Sequence, residues 1–107
     1  MKKIIAICFL FISVATHAAG PMKLTMGPGT ATCGKYSSVS PDAKRVYVAW
    51  ALGYMSAENF HQQVDFLKGT DRAAIEAAID LYCRANPLQD VITAVADVIS
   101  QLMQISK

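Results

Sequence analysis

Apolar residues recur at helical spacing along three stretches of the chain, and a fourth, continuous apolar run lies at its start. The first periodic stretch opens at Ser40-Pro41-Asp42: a good N-cap, a proline suited to the first helical position, and a carboxylate that complements the positive end of the helix dipole. Val46, Trp50, Gly53, Tyr54 and Ala57 then share one face. Val46, Val48, Trp50, Leu52 and Tyr54 also alternate as a strand would, but the start signal and the continuation through Ala57 and Glu58 favour a helix. The small residues Ala49, Ala51, Gly53 and Ala57 predict close approach of another helix. His61 to Gly69 reads as a connector or a further irregular helical turn. Thr70 or Asp71 caps the next helix, with Ile75, Ile79, Tyr82 and Cys83 on its buried face and a forced end near Ala85, because the residue before a proline avoids helical geometry. Asn86-Pro87-Leu88-Gln89 predicts a sharp corner and a new start, with Asn86 as N-cap, Pro87 first in the helix and Gln89 reaching back as in a capping box. Val91, Ile92, Val95, Val98, Ile99 and Leu102 form its apolar stripe. A short helical turn is expected around Cys33 to Ser37. The pattern predicts an all-α fold: a small bundle of three main helices with a short fourth near Cys33.

The run Ile4–Val14 changes the compartment. It follows the basic head Met1-Lys2-Lys3 and precedes the small residues Ala15-Thr16-His17-Ala18, so residues 1–18 read as a secretory signal peptide cleaved after Ala18. Eleven residues are too few for a comfortable membrane span, which takes about 20, so no stable membrane anchor is expected. The protein is expected to be periplasmic or secreted. Residues 19–32, rich in Gly, Pro and Thr, read as a flexible N-terminal arm, and 33–107 as a single helical domain.

Loss of the signal also changes the charge. Two of the ten Lys and Arg residues are Lys2 and Lys3, which leaves eight basic against eight acidic side chains. A balanced chain without a basic cluster argues against nucleic acid and against an anionic membrane surface as partners.

Of the three cysteines, Cys8 goes with the signal, leaving Cys33 and Cys83. An even pair in an exported chain reads first as a disulfide, and a domain this small gains from such a staple. Zinc is a weaker reading, since it takes about four ligands and the chain past the signal offers two Cys and His61. A catalytic cysteine would have only His61 as base. No Ser-His-Asp order, phosphate-binding glycine loop or carboxylate pair in a polar pocket stands out, so no catalytic residue, metal or cofactor is expected. Glu76, Asp80 and Arg84, spaced four apart, read as a solvated ion-pair row that Arg72 could join. Trp50 and Tyr54 read as core aromatics, Trp50 against the last two helices near Ile79, Val95 or Ile99, with ligand stacking the rival role. Gly53 reads as a point of close helix contact. Trp50, Gly53, Tyr54, Tyr82, Val91, Val95, Val98 and Leu102 are the candidates for core or partner binding.

Three motifs carry a resemblance: Thr32-Cys33-Gly34-Lys35-Tyr36, Trp50-Ala51-Leu52-Gly53-Tyr54, and Tyr82-Cys83-Arg84-Ala85-Asn86-Pro87. They resemble a group of small exported bacterial proteins similar in outline to the HdeA/HdeB acid-stress chaperones. The resemblance spans about residues 32–103. It implies a periplasmic, all-helical protein with one disulfide between an early and a late cysteine, binding unfolded clients or another protein partner without being an enzyme. The oligomeric state stays open, a homodimer included. Periplasmic immunity proteins that neutralise secreted toxins share these features, as would an accessory subunit of an envelope assembly.

Overall fold

The computed structural model describes residues 24–107. The signal peptide expected at 1–18, and the first part of the arm to residue 23, lie outside the described residues. A 3₁₀ turn, Pro28–Thr30, precedes four helices: α1 Cys33–Ser38, α2 Pro41–His61, α3 Arg72–Ala85 and α4 Val91–Ile105. The fold is all-α with a Cys33–Cys83 disulfide.

Local chemistry sets most helix starts. The Thr32 side chain accepts from the Lys35 amide (3.1 Å), the Ser40 hydroxyl from Ala43 (3.3 Å) and the Asp71 carboxylate from Ala74 (2.8 Å). Pro41 takes the first position of α2, where its missing N–H leaves no bond unmade. The start of α4 differs from the sequence reading. Asn86 ends α3 rather than starting α4: its backbone N–H and its side-chain amide both donate to the Tyr82 carbonyl, each at 3.0 Å. Residues 87–89 form a turn, and α4 begins at Val91 with Asp90 at its N-cap, without a side-chain cap bond.

The cause is non-local. Cys33 and Gly34 donate their amides to the carbonyls of Gln89 (2.7 Å) and Pro87 (2.9 Å), and Val91 donates to Ala31 (2.9 Å). These bonds satisfy first-turn amides of α1 and α4 that have no partner within their own helix. Thr32 and Asp90 form an isolated antiparallel bridge at the same place. The segment read as a flexible arm therefore has its last residues, 28–32, built into the fold through backbone pairing, and Gly29 is buried.

The core is one cluster contributed by α1, α2, α3, α4 and the connector: Cys33 and Tyr36, then Ala51 and Met55, then Phe66, then Ile75, Ile79 and Cys83, and finally Val91, Ala94, Val95 and Val98. Each fully buried aliphatic side chain here contributes about 1.5–3 kcal/mol. The α3 and α4 faces agree with the periodicity. The α2 face does not: Val48, Ala51 and Met55 point inward, while Val46 is 60% exposed and Gly53 and Ala57 lie on the outside. The helix carries two apolar rows, and the bundle takes the row whose small Ala51 fits beneath its neighbours. A Cβ placed on Gly53 would meet nothing within 4 Å, so Gly53 is no close-contact point.

Candidate functional site

Where α1, α2 and α3 meet, the disulfide sits beside a polar bolt. Cys33 and Cys83 are both buried, with Cα atoms 4.7 Å apart. One turn on, the Tyr36 ring is fully buried, and its hydroxyl donates to the Asp80 carboxylate at 2.7 Å. The Lys44 ammonium reaches the same carboxylate oxygen at 3.3 Å and lies 4.8 Å from the centre of the Tyr36 ring. Tyr47 packs edge-on to Tyr36 with ring centres 5.5 Å apart. Asp80 thus faces inward onto α1 and α2 rather than joining a solvated row along α3. Among the described residues the ion pairs are Lys44–Asp80 and the exposed Arg45–Asp42, so only the first joins two helices. Arg84 and Arg72 take no part in either.

Burial, then the bond to Asp80 and the negative charges of Asp80 and Glu76, push the Tyr36 hydroxyl well above the usual tyrosine range. The folded chain therefore holds Tyr36 neutral where an unfolded chain ionises it, near pH 10. This contribution to stability is complete below that pH and is lost progressively as pH climbs above it toward the raised value of the folded chain. A Tyr36→Phe variant is expected to lose about 1–2 kcal/mol near neutrality, through the missing hydrogen bond to a charged acceptor. Its stability should then decline less steeply above pH 10 than the parent's, as followed by circular dichroism. Parallel alkaline limbs would remove Tyr36 as the cause.

Two apolar surfaces stand out among the described residues. The first is a groove between α3 and α4, floored by Ile75, Ala78 and Val98 and walled by Leu102 and Ile105. It continues past Ala78 and Gln101 to Leu81, Tyr82 and Ala85. Leu81 and Ile105 are 64% and 80% exposed, so the groove presents apolar surface to water. The second is the Trp50–Tyr54 pair on α2, stacked with ring centres 5.5 Å apart and planes inclined by 21°. Trp50 is half-buried, with the 27–30 segment over its ring and the indole N–H donating to the Met26 carbonyl at 3.2 Å. Trp50 and Tyr54 also pack against the buried cluster, as partly buried side chains at its edge.

The sequence-derived candidates separate in space. Val91, Val95 and Val98 are buried core, while Tyr82 and Leu102 line the groove. Trp50 and Tyr54 make the aromatic pair, and Gly53 faces open space. Tyr36, Lys44 and Asp80 come together unforeseen, because 36 to 44 residues separate Asp80 from its partners and no local spacing signals the contact. Among the described residues no group of three or more His, Cys, Asp or Glu side chains could hold a metal ion. No described helix is long and apolar enough to cross a membrane.

The family model described as the HdeA/HdeB family matches residues 2–93, which take in both cysteines, the bolt and the aromatic pair. The chain belongs to the HdeA/HdeB family. The family is periplasmic and of chaperone type rather than enzymatic, and chaperone activity implies protein clients. No match was found among curated proteins or among solved structures.

Proposed function

We propose that the exported chain is a periplasmic acid-stress chaperone that loosens at low pH and binds unfolding proteins through apolar faces held closed at neutral pH. Family membership across residues 2–93 is the observation that carries this reading. The geometry supplies a physical route. At neutral pH the chain past the signal has eight basic and eight acidic side chains. Near pH 2 the carboxylates are protonated, and eight Lys and Arg, His61 and the amino terminus bring the charge to about +10. Self-repulsion on so small a chain opposes the compact state. Protonation of Asp80 also removes the only ion pair between helices among the described residues and leaves Tyr36 a weaker acceptor. At this corner α2 is held by that pair, by the Lys44 ammonium over the Tyr36 ring and by the edge-on Tyr36–Tyr47 contact, so loss of the pair weakens its hold on α1 and α3. The disulfide keeps α1 on α3 meanwhile.

The expected result is a rise in the fluorescence of an apolar-surface dye as pH falls below the carboxylate range, about 4, together with suppressed aggregation of an acid-sensitive client at the same pH. A chain that stays closed and inert near pH 2, or opens without protecting the client, would favour a dedicated protein partner instead.

A further inference from the structure

The 3₁₀ turn seats its glycines on the face of the only tryptophan in the chain. A Cβ at Gly29 would run into the six-membered ring of Trp50, and one at Gly27 would lie 2.9 Å from its Nε1. Gly27 also has φ 97°, a conformation that side chains rarely adopt. The Met26 carbonyl accepts the indole N–H, and Thr30 closes the turn by donating both its amide and its hydroxyl to the Gly27 carbonyl. On its other edge the indole stacks on Tyr54. Leu24 and Met26, just before the turn, are 87% and 77% exposed. A short stretch of peptide thus lies on an aromatic platform, with small residues against the ring and a carbonyl on its one donor. Within the turn Pro28 is half-buried and Gly29 buried, while Met26 and Thr30 stay exposed.

We propose that residues 26–30 are a built-in occupant of a peptide-binding platform formed by Trp50 and Tyr54, which an extended segment of an unfolded protein takes over when the turn is displaced. The inference rests on the chaperone reading and gives it a client-binding residue. Any client backbone offers the carbonyl that Met26 supplies, and glycine-like or flat apolar side chains fit against the ring, so recognition is by shape and by one hydrogen bond rather than by sequence. The Ala31–Val91 backbone bond ties the turn to the start of α4, so disturbance of that junction loosens the cover.

The test uses the disulfide-bonded chain and S-carboxymethylated insulin B chain, a Trp-free unfolded probe, so that Trp50 is the only indole present. Gly29→Val and the milder Gly29→Ala should push the turn off the ring at neutral pH. Trp50 emission should then move to the red and acrylamide quenching should steepen, while helical circular dichroism is retained. Both variants should bind the probe at neutral pH, where the parent does not, with the emission moving back to the blue. Trp50→Ala in the Gly29→Ala background should abolish that binding. Unchanged emission in both variants, an exposed indole that binds no probe, or binding that survives Trp50→Ala overturns the proposal. Should neither glycine variant fold, the unmodified chain decides at acid pH, where the probe must shield Trp50 from acrylamide. Client protection in acid by a folded Trp50→Ala chain keeps the chaperone reading and sinks this one. Loss of protection in the unmodified chain sinks the chaperone reading, while the neutral-pH binding of the glycine variants is scored independently.

Discussion

A Cys83→Ser variant is expected to lose about 2–5 kcal/mol of stability, the range for removing a native disulfide from a small exported domain. The crosslink joins residues 50 apart in sequence, and a loop of that length restricts the unfolded chain by about 4 kcal/mol in the loop-entropy model. Two features press the loss toward the upper part of the range. α1 has six residues, too few to be stable alone, and the disulfide is its covalent hold on α3. Both sulfurs also lie in the buried cluster, so the variant sets a hydroxyl and a free thiol in apolar surroundings. Denaturant unfolding should show a lower midpoint. An unchanged midpoint, or two free thiols in the unreduced parent, would contradict this.

Phe66→Ala is expected to cost about 3–5 kcal/mol, as large-to-small changes at buried aromatics do. Phe66 is 1% exposed although it lies between helices, in a stretch that composition marks as a connector. Its place is fixed from the backbone side. The Phe66 amide donates to the Asn59 side-chain carbonyl at 3.0 Å, and the Asn59 side-chain amide donates to the Asp65 carboxylate at 2.8 Å. The last turn of α2 thereby clamps the connector and turns the ring under the bundle. The variant leaves both bonds in place and empties the space beneath them, so thermal melting should fall while helix content at low temperature changes little. A melting temperature within a degree or two of the parent's would show that the space collapses without loss.

Helices and their starts were legible where the signal is local. Ser40 and Asp71 cap as their identity predicts, and α3 stops before Pro87 for the steric reason that any X-Pro pair gives. The Cys33–Cys83 pairing was legible too, from parity and the expected export. Asn86-Pro87 misled because a good cap sequence was overruled by two amides arriving from residues 33 and 34. The inward face of α2 was legible only in part because the helix has two apolar rows: Val48, Ala51 and Met55 are fully buried, while Trp50 and Tyr54 of the expected row pack against the core from its edge. Asp80 had visible charges four residues away on either side, and its true partners sit on other helices. Gly27 and Gly29 left a trace in the sequence as alternate glycines, but nothing local connects them with Trp50.

The pairing of residues 31–34 with 87–91, together with the neighbouring disulfide, gives the chain a knot of backbone and covalent bonds from which α2 and the connector hang as one closed loop. The two sides of that knot lie about 50 residues or more apart in sequence, the contacts that a free chain finds most slowly. A chain opened by acid with its disulfide intact has those distant segments already side by side. Its return on neutralisation is then the refolding of a tethered loop onto a preformed anchor, without a fresh search for partners across the chain. On the acid-chaperone reading proposed above, such an anchor lets one molecule serve in successive acid episodes, resetting itself without assistance.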